Sequence, residues 1–266
     1  MSLPFSQANF PRIYEQELVA PLFQPWVEPL LDAAAAGVGD RVLDVACGTG
    51  IVARLARKRV GPDGTVVGVD MSPPMLAVAR EAGPEVEWRE GNAMALPLAR
   101  GETFDVVTCQ QGLQFFPDRE VAVREMFRAL VPDGRLAVST WRTDEEFPFL
   151  RELRRIAERR LGPIADRRHA FGEAGPLERL LRDAGFRDVR SRTTTRTVRF
   201  ADGAVFVRLN AWALVGMSEG GRELAEEERA RRVDDIVTDS AELLRANSGQ
   251  SGLAYEIGAC TVVGRR

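Results

Sequence analysis

Short apolar runs that alternate with helical patterns constrain the fold of this chain more than any other feature. The runs are bounded by turn residues and cover residues 41–46, 65–70, 86–91, 104–110 and 135–141. Between them, Ser72 and Pro73 are typical of a helix N-cap and first helical position, and residues 118–130 carry apolar side chains at helical spacing. Runs such as VVGV at 66–69 are continuously apolar, as strands covered by helices on both faces require. The pattern predicts an α/β fold with a parallel, doubly wound sheet.

Two glycines stand at the turn between the first predicted strand and the following helix. The sequence there is VLDVACGTGIVAR, residues 42–54. Gly48, Gly50 and Ala53 match the G-x-G-x-x-G/A spacing of nucleotide-binding turns, and Asp70 ends the next strand 20 residues after Gly50. Free amides at a helix start favour an anionic group, and a carboxylate at Asp70 can accept both hydroxyls of a ribose. These features predict an adenosine-containing ligand.

An acidic residue upstream of the turn bears on which adenosine ligand binds. Asp44 lies inside the first strand, four residues before Gly48. A carboxylate there repels the pyrophosphate of a dinucleotide and stabilises a ligand that carries an ammonium group. The residues alone nevertheless leave a second interpretation open, because an NAD-dependent oxidoreductase also uses a glycine turn and an acid such as Asp70.

At this point the sequence resembles the class I S-adenosylmethionine-dependent methyltransferases, whose first motif is an apolar strand, an acid and G-x-G. The family's second, third and fourth motifs resemble VVGVDMSPPML at 66–76, EGNAMALP at 90–97 and FDVVTCQQGLQFFPD at 104–118. LVPDGRL at 130–136 is similar to the turn before its fifth strand. The resemblance covers about residues 38–142 and is strongest to the small-molecule branch that includes the ubiquinone and menaquinone C-methyltransferases.

The resemblance implies a Rossmann-like sheet of seven strands, mostly parallel, with an antiparallel strand near the edge and a helical lid. We expect a single methyltransferase domain over residues 1–266, because no repeat or linker divides the chain. Its predicted segments are N-terminal helices at 1–37, a cofactor-binding core at 38–142, helical lid segments at 143–187 and 201–250, and last strands at 188–200 and 253–264.

The resemblance also implies the cofactor, S-adenosylmethionine, with S-adenosylhomocysteine as the product. The cofactor-binding residues that it implies are Asp44, Ala46, Cys47, Gly48, Gly50, Asp70, Met71, Asn92, Ala93 and Gln110. Asp70 would hold the ribose, and Met71 would pack on the adenine. Family members often have Asp where this chain has Asn92, whose amide oxygen can still accept a hydrogen bond from the exocyclic amine of adenine.

The methyl acceptor must be held by residues outside the glycine turn. The predicted acceptor-binding residues are Tyr14, Gln111, Gln114 and Phe115. We expect an apolar acceptor, aromatic or prenylated, that is methylated at C, O or N by in-line displacement, mainly through positioning. His169, the one histidine of the chain, is the weak candidate for a general base, and a solvated loop histidine is the alternative interpretation.

Composition restricts the partners and the location of the protein. A formal net charge of -3 disfavours nucleic acid as a partner, and no apolar run approaches the roughly 20 residues that span a bilayer. The N-terminal residues 1–12 lack the apolar core of a secretory signal, which predicts a cytoplasmic protein. Cys47, Cys109 and Cys260 lack metal-ligand spacing, so we predict small buried thiols and no metal site. The oligomeric state stays open.

A non-catalytic S-adenosylmethionine-binding protein is a further alternative that the sequence leaves open. Nucleic-acid N-methyltransferases commonly carry Asn/Asp-Pro-Pro-Tyr/Phe after the fourth strand, and residues 109–113, CQQGL, lack that signature. Methyl transfer to a small molecule is therefore the predicted function. We expect Asp70→Ala and Gly48→Val to abolish cofactor binding without unfolding the protein.

Overall fold

The computed structural model of the protein describes Ser6, residues 9–221 and residues 223–266, and its main feature is a mixed β-sheet. The strands are β1 (Arg41–Val45), β2 (Thr65–Asp70), β3 (Glu87–Glu90), β4 (Phe104–Gln110), β5 (Leu130–Trp141), β6 (Arg187–Phe200), β7 (Ser248–Gly249) and β8 (Gly252–Arg265). Their order is β3-β2-β1-β4-β5-β8-β6, with β7 paired to β8. Strands β1 to β5 pair in parallel, whereas β8 is antiparallel to β5. The predicted path of seven strands is confirmed, and β7 is an addition to it.

The helices follow the strands in the alternation that the sequence predicts. The α-helices are α1 (Phe10–Tyr14), α2 (Val27–Ala33), α3 (Ile51–Val60), α4 (Pro73–Ala82), α5 (Arg119–Ala129), α6 (Pro148–Leu161), α7 (Ala174–Asp183), α8 (Gly203–Met217), α9 (Glu226–Asp239) and α10 (Ala241–Asn247). A π-helix covers Glu15–Phe23, and short 3₁₀ helices cover Gln24–Trp26, Leu113–Phe115, Asp144–Glu146 and Arg167–His169. The part of the predicted N-terminal helical segment that falls on residues 1–5, 7 and 8 lies outside the described residues.

The described residues divide into two compact units. The first unit contains the described residues up to Leu22, Arg142–Ala170 and Thr195–Gly258. The second unit contains Phe23–Trp141, Phe171–Thr194 and Ala259–Arg266. The single methyltransferase domain and its helical lid stay predictions.

Helices of the second unit cover both faces of its parallel strands. On one face, Leu43 of β1 belongs to a buried cluster with Met126 of α5. On the other, Val42 of the same strand belongs to a cluster with Leu30 of α2 and Ala53 of α3. Successive side chains of a strand point to opposite faces, so both faces bury apolar residues. This explains the continuously apolar strand sequences.

Strand β5 differs from its prediction. The turn that Pro132-Asp133-Gly134 predicts is a bulge inside the strand, because pairing with β4 passes from Phe104↔Leu130 directly to Val106↔Arg135. Asp133 has a φ of 63°, which accommodates the bend. The strand therefore begins at Leu130 rather than at residue 135.

The first unit is largely helical. Its core contains Ile156 of α6, Trp212 of α8 and Val233 of α9. In the same unit, the ring of Tyr255 stacks on Phe149 at a centroid distance of 5.0 Å. The predicted helical segment 201–250 matches α8, α9 and α10, except that its last residues form β7.

Candidate functional site

The glycine turn lies between β1 and α3, at the carboxyl end of the parallel strands. Gly48 and Gly50 have φ values of 56° and 88°, and Ala46 is also left-handed at 57°. The N–H of Cys47 donates to the carbonyl of Val69 at 3.0 Å, and the N–H of Gly50 donates to the carbonyl of Cys47 at 2.8 Å. Left-handed backbone favours glycine at both positions, because a Cβ is strained there.

The two glycines have different surroundings. A Cβ built on Gly50 would lie 2.2 Å from Cη2 of Trp88, so this position is glycine because an indole ring occupies the space. A Cβ on Gly48 would meet no described atom within 4 Å. The open side of the turn, where a ligand can approach the backbone, is therefore at Gly48.

Asp44 is a buried carboxylate beside this turn, 1% exposed. Its Oδ1 accepts a hydrogen bond from Oγ1 of Thr108 at 2.9 Å, whereas Oδ2 has no hydrogen-bond partner among the described residues. Burial raises the pKa of Asp44 to about 7, and the charge of Asp70 adds to the rise, while the Thr108 hydroxyl and the nearby Ala53 amide oppose it. An acid with an unpartnered buried oxygen is suited to a cationic ligand group.

Asp70 links the end of β2 to the glycine turn. One carboxylate oxygen accepts from the N–H of Gly48 at 2.8 Å, and the other accepts from the N–H of Ser72 at 2.9 Å. Burial raises the pKa of Asp70, and the backbone amides of Gly48, Ser72 and Met71 oppose the rise. Each oxygen keeps lone-pair capacity for a ligand hydroxyl. The next side chain, Met71, is 75% exposed and offers apolar surface to a flat ring.

The segment after β3 carries Asn92 and Ala93. Asn92 is exposed, and its Oδ1 accepts a hydrogen bond from the N–H of Met94 at 2.9 Å. This bond uses one lone pair of the amide oxygen, and the second stays available to a ligand, so the predicted contact with adenine stays a prediction. Ala93 is buried against the core of the second unit.

Polar side chains follow the end of β4. Nε2 of Gln110 donates to the carbonyl of Phe23 at 3.1 Å, and within the described part of the chain its Oε1 has no hydrogen-bond partner. Gln111 has a φ of 57°, and its N–H donates to the carbonyl of Ser139 at 2.7 Å. The bend at Gln111 therefore ends the strand and is fixed to β5.

A buried chain of hydrogen bonds continues from Gln111. Nε2 of Gln114 donates to Oε1 of Gln111 at 3.3 Å, and Nε2 of Gln111 donates to Oγ of Ser139 at 3.5 Å. Oγ1 of Thr261 donates to the same Ser139 oxygen at 3.3 Å. Gln114 is 1% exposed, yet its Oε1 lacks a hydrogen-bond partner in the described ranges. The neighbouring Phe115 is 41% exposed, so this segment offers one polar acceptor and one apolar ring.

The predicted site residues fall in both units. All the predicted cofactor residues lie in the second unit, as do Gln111, Gln114 and Phe115, whereas Tyr14 and His169 lie in the first. Within the second unit, hydrogen bonds join Asp70 to Gly48 and Gln111 to Gln114.

His169 is half-buried and hydrogen-bonded rather than solvated. Its Nδ1 lies 2.8 Å from the carbonyl of Arg142. A carbonyl only accepts, so Nδ1 carries the proton and Nε2 keeps a lone pair. Burial lowers the pKa of His169, and the charge of Arg168 lowers it further, although Asp166 opposes this. The imidazole is therefore neutral near pH 7.

Sequence reasoning missed Thr108, Trp88 and Ser139. Thr108 is a buried polar residue inside the apolar run FDVVTCQ, which was an available signal. Trp88 and Ser139 act through strands that neighbour their partners only in the folded sheet.

Among the described residues, no group of three or more His, Cys, Asp or Glu side chains is arranged to hold a metal ion. The helices in the described ranges are all too short or too polar to cross a membrane. Cys47, Cys109 and Cys260 are buried, as predicted, and burial raises the pKa of the Cys47 and Cys109 thiols.

Part of the chain is similar in sequence to known methyltransferases. Residues 43–138 match the family described as "Methyltransferase domain". The 2-phytyl-1,4-naphtoquinone methyltransferase of Thermosynechococcus vestitus is 40% identical over 141 residues, which are 50% of this chain and 62% of that protein. The demethylmenaquinone methyltransferase of Thermus thermophilus is 43% identical over 117 residues, 42% of this chain and 52% of that protein. The chain thus spans about half to two thirds of the length of these curated relatives.

A solved structure shares the fold. The phosphoethanolamine N-methyltransferase 2 of Haemonchus contortus, solved with phosphomonomethylethanolamine and S-adenosylhomocysteine, has a TM-score of 0.60 at 17% identity. The match covers 98% of this chain and 57% of that one. Residues 43–138 thus carry a methyltransferase domain, and the chain is similar in part to quinone methyltransferases.

Proposed function

We propose that this protein transfers a methyl group from S-adenosylmethionine to a small apolar or aromatic acceptor. The observation that carries the proposal is the buried Asp44 at the glycine turn, whose Oδ2 has no partner among the described residues. A buried carboxylate with one unpartnered oxygen is costly, and the ammonium of an amino-acid ligand would offset that cost. A dinucleotide pyrophosphate would increase it, which argues against the oxidoreductase alternative.

The residues around the turn match the parts of this cofactor. Asp44 would face its ammonium group, Asp70 would accept from the ribose hydroxyls, and the exposed Met71 would cover the adenine. Asn92 would meet the adenine edge, because its oxygen keeps a lone pair beside the Met94 bond for the exocyclic amine and its NH₂ can donate to a ring nitrogen. The open backbone at Gly48 gives the amino-acid part room to approach.

The protein's part in the reaction is mainly orientation. S-adenosylmethionine, when bound, supplies a methyl group that its sulfonium already activates. Holding a nucleophile in line can contribute roughly 7 to 11 kcal/mol in favourable cases, without a strong acid or base. Gln114 and Gln111 are suited to this task, because buried amides orient a partner but are poor bases.

The free carbonyl of Gln114 would fix the acceptor by taking a hydrogen bond from it. One hydrogen of its NH₂ is donated to Gln111, and Oε1 is the acceptor that has no partner among the described residues. We expect Gln114→Leu to lower kcat/KM for the acceptor roughly 10- to 100-fold, the cost of one buried hydrogen bond of about 1–3 kcal/mol. The affinity for S-adenosylhomocysteine should stay unchanged, which calorimetry checks.

Gln250→Leu is the control for that variant, since Gln250 is exposed in the turn before β8. It should leave kcat/KM at the wild-type value. Unchanged acceptor kinetics in Gln114→Leu would remove Gln114 from the acceptor site.

If the enzyme works mainly by orienting its substrates, His169 is not needed as a general base. We expect His169→Gln to lower kcat by less than about tenfold, whereas loss of a general base typically costs about 10²- to 10⁴-fold. The measurement is kcat from pH 6 to pH 9. A loss of 100-fold or more, with the acidic limb of the profile removed, would assign the base role to His169 instead.

Methyl turnover tests the proposed function. S-adenosylmethionine with a labelled methyl group is incubated with the protein and a panel of phenols, quinone precursors and amines. We expect label in an organic-extractable product. Tight S-adenosylhomocysteine binding without any transfer would favour the non-catalytic binding protein.

We also propose a small-molecule acceptor rather than nucleic acid, and a cytoplasmic location. The net charge of -3 supports the first, and three buried cysteines without a disulfide in the described chain support the second. A filter-binding assay with RNA and DNA tests the first proposal, and cell fractionation tests the second.

A further inference from the structure

The indole of Trp88 lies against two glycines of neighbouring elements. Trp88 on β3 is the register partner of Gly68 on β2, so their side-chain positions are on the same face of the sheet. A Cβ on Gly68 would lie 2.4 Å from Cζ3 of the indole, and a Cβ on Gly50 would lie 2.2 Å from Cη2. The ring thus fills the space that two side chains would otherwise take.

A hydrogen bond fixes the far side of the ring. Nε1 of Trp88 donates to the carbonyl of Gly83, the residue after α4, at 2.8 Å. A Cβ on Gly83 would lie 3.3 Å from Cζ2 of the same ring. The indole therefore cannot slide away from Gly50 without losing this bond or moving the end of α4.

Gly50 is the corner from which α3 begins. It is the N-cap of α3, and its carbonyl accepts from the N–H of Arg54 at 2.9 Å. Hydrogen bonds from Cys47 to Val69 and from Gly48 to Asp70 hold the other side of the turn. The indole supports the turn at its α3 end.

We propose that Trp88 is a positioning residue for the cofactor: its indole sets the position of Gly50, and with it the backbone amides that open α3. This inference rests on the proposed function, because the same turn is the proposed S-adenosylmethionine site. A binding site keeps its geometry only when the residues behind it hold its contacting groups in place. At metal sites, loss of such a supporting residue typically lowers metal affinity or activity about 10- to 100-fold. We expect a comparable, roughly tenfold or greater loss of affinity here.

The test compares Trp88→Phe and Trp88→Leu with wild type by calorimetry with S-adenosylhomocysteine. Phe104→Leu is the control, because Phe104 is a buried aromatic ring at the start of β4. We expect both Trp88 variants to raise Kd and the KM for the methyl donor, with the KM for the acceptor unchanged. Phe104→Leu should lower thermal stability without raising Kd.

A rescue experiment separates positioning from general packing. In the wild-type background, Gly68→Ala should weaken S-adenosylhomocysteine binding, because its methyl group meets the indole. Combined with Trp88→Leu, the same substitution should cost no further affinity, since the two nearest atoms belong to the ring and the next, Sγ of Cys47, lies at 3.1 Å.

Fluorescence gives an independent signature. Emission of the wild type should change on S-adenosylhomocysteine binding, and Trp88→Phe should lose most of that change. If wild type fails to bind, the proposed function fails. If wild type binds and Trp88→Phe binds equally well, the positioning role is wrong whatever the fluorescence shows. Trp88→Phe keeps a ring in the core, so it decides the question even where Trp88→Leu does not fold.

Discussion

Asp44→Asn should weaken S-adenosylhomocysteine binding roughly 100-fold at pH 7.5, because the ligand ammonium loses a charged partner worth about 3 kcal/mol. The variant should stay folded, since an asparagine oxygen can still accept the Thr108 hydroxyl that Oδ1 accepts at 2.9 Å. Calorimetry gives the affinity, and circular dichroism gives the thermal midpoint.

The control for Asp44→Asn is Asp105→Asn. Asp105 lies on β4 and pairs with Arg41 at 3.0 Å, an ion pair that holds the pKa of Asp105 below its usual range. Its loss should leave the ligand affinity unchanged. Equal affinities of Asp44→Asn and wild type would show that no cationic group binds at Asp44.

The raised pKa of Asp44 predicts a pH dependence for the wild type. Between the ordinary pKa of 3.8 and the raised value of about 7, Asp44 is protonated in the folded chain and ionised in the unfolded chain. The contribution of Asp44 to the free energy of unfolding therefore falls as the pH rises through this range to the folded pKa of about 7. An ammonium ligand needs the ionised form and lowers the pKa. Affinity should therefore rise roughly fivefold from pH 6 to pH 7, with proton release on binding, and Asp44→Asn should abolish both effects.

Asp70→Ala should abolish measurable S-adenosylhomocysteine binding, a loss beyond about 100-fold, because the ribose and the turn both lose their acceptor. The sequence alone predicts no effect on folding. The structure adds a stability cost of about 2–3 kcal/mol, since the amides of Gly48 and Ser72 lose a carboxylate at 2.8 and 2.9 Å. Calorimetry and urea denaturation measure the two losses.

Asp63→Ala is the control, because Asp63 is exposed in the turn before β2. Retained affinity in Asp70→Ala would refute the ribose assignment. Gly48→Val, the other variant that the sequence suggests, also strains the backbone, since φ at Gly48 is 56° and valine is β-branched. Gly48→Ala tests the open space at the turn with less strain.

The bounds of a strand could be predicted where the apolar run in the sequence coincides with the strand. β2 and β4 have the bounds that their apolar runs predict, because each run is covered on both faces and ends at a polar turn. The start of β5 was not predictable, because Pro132-Asp133-Gly134 has turn chemistry and the bulge depends on pairing with β4.

The site was predictable only where its residues are contiguous in sequence. Asp44, Gly48 and Gly50 belong to one motif, whereas Thr108 reaches Asp44 through the register of β1 and β4, and Trp88 reaches Gly68 through that of β2 and β3. The spacing of residues along the sequence does not tell which residues of two neighbouring strands lie side by side. These supporting contacts could therefore be identified only in the folded sheet.

The central claim is that the glycine turn binds a nucleoside that carries an ammonium group. Calorimetry of the wild type with S-adenosylhomocysteine and with NAD tests this claim most directly. The titrations are made at pH 6 and pH 7, in buffers of different ionisation enthalpy. We expect micromolar S-adenosylhomocysteine binding that strengthens with pH and releases a fraction of a proton, with no heat from NAD. Binding of NAD, or pH-independent binding of S-adenosylhomocysteine, would contradict it.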